Sequence, residues 1–147
     1  MTNLPGKNLI RVPSIILLIG SVFNLFISIN GLSNADYWDA VLPIAFSWRI
    51  FYTFTLLSAV YTVFYCINGI RFCNVKEKAV FVSSLGTVAV AIAVIILVFN
   101  LTQLHFANTN IVAVLVGPLL PVLYLIGARK NVSAASAVAE EDNSDGY

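Results

Sequence analysis

The sequence predicts an all-α integral membrane protein whose four helices form an up-down bundle with both termini in the cytoplasm. Three observations lead to this fold class. The chain is 59% hydrophobic and only 10% charged, whereas soluble domains average about 45–50% apolar and about 25% charged residues. It contains uncharged apolar runs long enough for spanning helices, which need about 20 residues each. Its basic residues also gather on one side of the predicted membrane.

The four predicted spans follow the apolar runs in order. The second span is rich in aromatic residues, as expected near membrane interfaces. The stretch 79–128 contains no Asp, Glu, Lys or Arg, which leaves room for two spans joined by a short polar turn. The predicted spans cover about residues 10–30, 44–70, 79–101 and 111–128.

The first span has an alternative interpretation as a cleaved signal peptide. Lys7 and Arg11 would form its basic region, and Ser33, Asn34 and Ala35 resemble a small-x-small cleavage site. Its apolar region is longer than the 7–15 residues usual in signal peptides, and a polar amide interrupts it. We therefore favour a retained span.

The distribution of cations predicts the orientation. Lys and Arg concentrate on the cytoplasmic side of membrane proteins, and seven of the eight in this chain fall on one side of a four-span arrangement. We therefore predict a multi-pass plasma-membrane protein whose central basic loop, 71–78, is cytoplasmic. The seven cations are Lys7, Arg11, Arg71, Lys76, Lys78, Arg129 and Lys130.

Two features of the C-terminal part give further predictions. Pro118 and Pro121 lie inside the fourth span, where each removes a backbone donor, so we expect a helix kink. Residues 1–130 are predicted to form the transmembrane domain. Residues 131–147 are small, polar and finally acidic, so we expect a disordered cytoplasmic tail.

Small and polar residues at a spacing of four define the candidate contact faces. Such residues let membrane helices approach closely or form hydrogen bonds between them. In an oligomer the same residues could line a lumen instead. Asn68 is a further interhelical candidate. The first-span candidates are Gly20, Asn24 and Ser28, and the third-span candidates are Ala79, Ser83, Thr87 and Ala91.

Arg49 is the one cation predicted near the opposite membrane face. A charge at a span's end can snorkel to the headgroups, or it can pair with Asp36 or Asp39 in the preceding loop. It is also a candidate contact for an anion or a lipid headgroup.

Few residues point to catalysis or to a cofactor. Residues 50–70 and 79–128 contain no carboxylate, although ion-coupled transporters and proton relays usually place one inside a span. A metal site is not predicted, because Cys66, Cys73 and the single His105 do not form a set of three or four ligands. No cofactor is expected, and a net charge of +1 gives no reason to expect a nucleic-acid partner.

Three stretches together carry a resemblance to a family. They read L-P-G-K-N-L-I-R-V at 4–12, N-G-I-R-F-C-N-V-K-E-K-A at 68–79 and L-P-V-L-Y-L-I-G-A-R-K-N at 120–131. This combination resembles the small four-helix membrane proteins of Gram-positive bacteria. The resemblance implies a bacterial plasma membrane and a single four-helix domain, and it brings no activity or set of functional residues.

The sequence favours a non-enzymatic scaffold or accessory subunit that contacts the bilayer and another membrane protein or a second copy of itself. The alternative is a homo-oligomeric channel or passive small-molecule transporter. A third interpretation is a lipid-modifying enzyme that would use Asp36, Asp39, His105 and Arg49.

Overall fold

The computed structural model describes residues 3–41, 47–103 and 111–144, and in these ranges the chain is almost entirely helical. Four long helices and one short one follow each other along the chain. A single 3₁₀ turn, Lys76–Lys78, precedes the fourth helix. The α-helices are α1 (Lys7–Ser33), α2 (Ala35–Val41), α3 (Trp48–Phe72), α4 (Ala79–Gln103) and α5 (Ile111–Ser144).

Local polar residues explain where α3 begins and where α1 ends. Ser47 is the N-cap of α3, and its hydroxyl accepts a hydrogen bond from the Arg49 backbone N–H at 3.2 Å. Such a cap satisfies one of the free donors in the first helical turn. At the end of α1, the backbone N–H of Asn34 donates to the carbonyls of Asn30 and Gly31, and α2 starts one residue later.

Within the part of the chain that the structure describes, three helical segments are long and apolar enough to cross a membrane: α1, α3 and Lys76–Val98. Their outer surfaces carry large apolar side chains, including Phe26 and Leu57, which are 71% and 63% exposed. Soluble proteins rarely expose contiguous apolar surface on this scale. The length, composition and outer surface of these segments are those of a membrane protein.

Each long helix packs against two others. α1 contacts α3 and α5, and α4 contacts α5 and α3. The most extensive interfaces join α1 to α3 and α4 to α5, and the short helix α2 lies against α3. The first and the last of the described helices, α1 and α5, therefore belong to the same packed unit.

The buried core is centred on Tyr124 of α5. Its ring lies between two glycines, Gly69 of α3 and Gly86 of α4. A Cβ atom added to Gly69 would lie 2.5 Å from Tyr124 Cε2, and one added to Gly86 would lie 2.9 Å from Tyr124 Cδ1. The ring also makes a T-shaped contact with Tyr65, with centroids 5.2 Å apart and planes at 82°. The slot between the two glycines thus has the width of one aromatic ring.

The expectation of a disordered tail from residue 131 is corrected. α5 is unbroken through Pro118 and Pro121 and continues to Ser144, and Asn131 is buried. Alanine is the best helix former and is frequent in this stretch. The extension also continues an existing helix, so it needs no new nucleus. Residues 145–147 lie outside the described residues.

The surroundings of Gly127 and Gly20 differ, so we expect substitution by alanine to change stability in opposite directions at the two positions. A Cβ atom on Gly127 of α5 would lie 2.6 Å from the Leu9 Cβ of α1 and 2.9 Å from the Gly6 carbonyl oxygen. A Cβ atom on Gly20 would meet nothing within 4 Å.

We expect Gly127→Ala to lower the free energy of unfolding in detergent by about 1–3 kcal/mol, because the two helices must separate. Gly20→Ala should leave it unchanged or raise it by about 0.5–1 kcal/mol, because alanine favours the helix. Thermal or denaturant unfolding of both variants beside the parent chain measures the difference. Equal effects would contradict the close contact between α1 and α5.

Candidate functional site

Three distant parts of the chain meet at one side chain, Asn131. The Gly6 backbone N–H donates to Asn131 Oδ1 at 2.6 Å, and Asn131 Nδ2 donates to the Cys73 carbonyl at 2.9 Å. Both hydrogen bonds are buried. Beside them, the Leu4 N–H donates to Asn74 Oδ1 at 2.8 Å. We call these five residues the Asn131 junction.

The junction joins the start of α1, the end of α3 and the middle of α5. These are the three stretches that carry the resemblance in the sequence. Asn131 is only 2% exposed, so the hydrogen bonds of its side-chain amide are shielded from water. They contribute more to stability than hydrogen bonds at the surface would. Asn131 lies at the start of the predicted tail, although its position at the end of an apolar run was a signal of a buried amide.

Exposed cations surround the junction. The guanidinium of Arg71 lies over the Phe72 ring, 5.2 Å from its centroid. Lys76 and Lys78 lie on the 3₁₀ turn next to Cys73 and Asn74, and that turn also contacts α5. Arg129 and Lys130 are exposed on α5 beside Asn131. The junction therefore forms the centre of a basic end of the molecule.

Asp39 of α2 binds the first residues of α3. Asp39 accepts hydrogen bonds from the Trp48 backbone N–H and from the Ser47 hydroxyl, both at 2.7 Å. These bonds, the first above all, hold the pKa of Asp39 below its ordinary value, and Arg49 lowers it further. Asp39 thus stabilises the start of α3, where the helix dipole also favours a negative charge.

Arg49 pairs with Asp36 and not with Asp39. Its guanidinium Nη2 lies 3.0 Å from Asp36 Oδ1, and both side chains are well exposed. The predicted anion or lipid-head contact at Arg49 would have to compete with this carboxylate. Both aspartates assigned to a lipid-modifying enzyme are thus engaged by protein groups. His105, the remaining residue of that hypothesis, lies outside the described residues.

An aromatic cluster covers the start of α3. The rings of Trp48 and Tyr52 stack with centroids 5.7 Å apart, and Trp38 of α2 lies 6.5 Å from Trp48. Tyr52 also packs against the Cα face of Gly31 in α1. Aromatic side chains of this kind favour the membrane interface.

A cavity of about 360 Å³ lies between α1, α3, α4 and α5. Two residues of the predicted first-span stripe, Gly20 and Asn24, line it. Much of the wall is apolar, and hydroxyl groups from α1 and α3 contribute to it. Ser28, the third residue of the stripe, is buried, and its hydroxyl has no hydrogen-bond partner among the described residues.

The predicted stripe on α4 follows the buried face only at its beginning. Ala79 is buried and Ser83 half-buried, but Thr87 and Ala91 are exposed. A strict spacing of four drifts by about 40° per step around a helix with 3.6 residues per turn. Alternating steps of three and four stay on one face, and the buried residues of α4 follow that rule. They are Ala79, Val82, Gly86 and Ala89.

Asn68 bonds within its own helix. Its Nδ2 donates to the Phe64 carbonyl at 2.8 Å, so the predicted interhelical bond is replaced by a local one. Cys66 and Cys73 are both free and buried. Within the described part of the chain, no group of three His, Cys, Asp or Glu residues could hold a metal ion.

These features define an all-α protein with three helices long and apolar enough to cross a membrane. No family model, curated protein or solved structure matches the chain.

We expect substitution by alanine to destabilise the protein more at Asn131 than at Asn68. Asn131→Ala leaves the Gly6 N–H and the Cys73 carbonyl buried without a partner, and each such group costs about 1–3 kcal/mol. We expect a loss of about 2–4 kcal/mol in the free energy of unfolding and faster maleimide labelling of Cys73. In Asn68→Ala the Phe64 carbonyl remains part of the helix backbone and loses only the bond from the side chain. We therefore expect the free energy of unfolding to fall by less than about 1 kcal/mol. Unchanged stability and labelling in Asn131→Ala would refute the junction.

Proposed function

We propose that the chain is a multi-pass protein of a bacterial plasma membrane with four spans and both termini in the cytoplasm. The spans would be α1, α3, α4 and the part of α5 before Arg129. The exposed cations around the Asn131 junction support this orientation, because cytoplasmic loops are rich in Lys and Arg. At the opposite end Arg49, which pairs with Asp36, is the one cation of the sequence that opposes this orientation.

The packing of α1 supports its retention as a span. Ile10, Ser14 and Ser28 are fully buried, and α1 contacts both α3 and α5. Its removal would uncover the faces of two other helices. We also propose kinship with the small four-helix membrane proteins of Gram-positive bacteria, on the ground that the three resembling stretches meet at one junction.

Single added cysteines test the orientation. Ser33→Cys and Ser136→Cys place thiols at exposed positions at the two ends, while the native thiols are buried. A membrane-impermeant maleimide added to intact cells should label the chain carrying Ser33→Cys and not the one carrying Ser136→Cys. Both should react after the cells are opened. Labelling of Ser136→Cys in intact cells would refute a cytoplasmic C-terminal end.

We propose that the protein acts as a non-enzymatic scaffold or accessory subunit of a membrane complex. The observation that carries this proposal is the continuation of α5 beyond the junction. From Asn131 to Ser144 the helix extends about 20 Å at about 1.5 Å per residue. The junction fixes the direction of this extension at its base. Its last part includes the acidic run Glu140, Glu141 and Asp142, which would complement a basic partner surface.

A second candidate function is a homo-oligomeric channel or passive transporter. The cavity between the four long helices favours it, because Asn24 lines that cavity at the middle of α1. Such a path would need several copies around an axis. The mass of the particle in mild detergent separates the two functions, since a scaffold forms a heterocomplex and a channel forms a symmetric assembly of identical chains.

Truncation tests the scaffold function directly. A chain ending at Val132 keeps the Asn131 junction and lacks the acidic extension. We expect it to insert and fold as the full chain does, and to lose the partner that the full chain retains on purification from its native membrane. Arg49→Gln, a change at the opposite end, should keep that partner. A partner retained by the truncated chain, or a full chain that purifies only with itself, would contradict the proposal.

A further inference from the structure

The cavity between the long helices lies at the mid-depth of the helices that could cross the membrane. Gly20 is near the centre of α1, Thr62 near the centre of α3 and Ala93 near the centre of α4, and all three line the cavity. Pro118 of α5 closes the remaining side. Its volume of about 360 Å³ falls in the range typical of small-molecule sites, about 300–1,000 Å³. A ligand that reaches this depth must be soluble in the lipid phase.

The wall of the cavity bears no charge. Among the described residues that line it, none is Asp, Glu, Lys, Arg or His. An ionised ligand would be buried here without a counter-ion, at a high desolvation cost. The ligand is therefore neutral.

The hydrogen bonds of the wall select the polar group of the ligand. Four of the five lining residues that carry a hydroxyl each donate its proton to a backbone carbonyl at 2.8–2.9 Å, so these four can only accept a hydrogen bond from a ligand. The donors are Ser21, Ser58, Tyr61 and Thr62, and the acceptors are Leu18, Thr55, Leu85 and Ser58. Asn24 lines the same cavity and is exposed, which places its amide at the mouth.

We propose that this cavity binds a neutral aliphatic alcohol from the lipid phase, with its chain along the apolar wall and its hydroxyl donating to the hydroxyl oxygens of α1 and α3. An ester or an ether offers only acceptors and finds fewer partners on this wall. Gly20 and Gly117, which line the cavity, border open space, because a Cβ atom on either would meet nothing within 4 Å.

Photolabelling in vesicles of a neutral-headgroup phospholipid tests the site. The probe is dodecanol with a diazirine in mid-chain, and labelled residues are identified by mass spectrometry. We expect labels on residues of the cavity wall. Gly20→Leu, which adds a bulky side chain at a residue that lines the cavity, should remove them. Ala91→Leu adds bulk at an exposed position of α4 outside the cavity and should leave the labelling unchanged.

A matched methyl ether of the same probe tests the hydroxyl. We expect the alcohol to label the cavity about fivefold more than the ether, as one net hydrogen bond predicts. Thr62→Val removes a lining acceptor and should reduce this preference. Thr55→Val is the control, because the Thr55 hydroxyl also donates to a backbone carbonyl, that of Phe51, but does not line the cavity.

Labelling that survives Gly20→Leu would refute the site. Equal labelling by the alcohol and the ether would refute the ligand class and show that the cavity holds lipid chains without selection. Thermal unfolding of each variant in detergent identifies any that fails to fold, and the comparison of the two threonine variants does not depend on Gly20→Leu.

Discussion

The amide of Asn131 is the interaction on which the packed end of this protein depends. It accepts from a backbone N–H that precedes α1 and donates to a backbone carbonyl that follows α3. Both groups are buried, and a buried backbone group without a partner is costly, above all next to lipid. An amide satisfies a donor and an acceptor at once, through an oxygen and a nitrogen that lie on the same side chain. A carboxylate would leave the carbonyl unpaired, and an apolar side chain would leave both.

The close contacts around Tyr124 lie next to this junction. Gly127 is one helical turn from Asn131 and lets α5 approach the start of α1. One turn further back, the Tyr124 ring fills the slot between Gly69 and Gly86. Toward the middle of the helices the role of glycine reverses. Gly20 faces open space, and there the helices enclose a cavity. Small residues thus make one part of the protein dense and leave room in another.

The helices could be predicted from the sequence because lipid thickness sets the length of an apolar run. Over the described residues each predicted span lies on a helix, and α1 and α3 differ from the predicted limits by two to four residues at each end. Three of these helical segments are long and apolar enough to cross a membrane. The short helix α2 was missed, because seven mixed residues carry little periodicity. The extension of α5 was not predicted. The acidic residues and serines of this stretch suggested disorder, although its alanines favour a helix.

The candidate site could be predicted less well, because it depends on contacts between distant residues. Gly6 and Asn131 are 125 positions apart, and no local pattern in one sequence relates them. Gly20 and Asn24 were identified from their spacing, and both line the cavity. The same spacing failed on α4, where a step of four leaves the buried face after two turns. A rule of alternating steps of three and four would have found Val82, Gly86 and Ala89.

The charge of this protein is informative by its distribution and not by its sum. A net charge of +1 hides a basic end around the junction and an end where Arg49 is matched by Asp36 and Asp39 caps α3. Both aspartates are placed by α2, which packs on α3. Lys and Arg decide membrane orientation, whereas acids contribute little. The pair between Arg49 and Asp36 therefore leaves this balance unchanged, and the proposed orientation depends on seven cations on one side against Arg49 on the other.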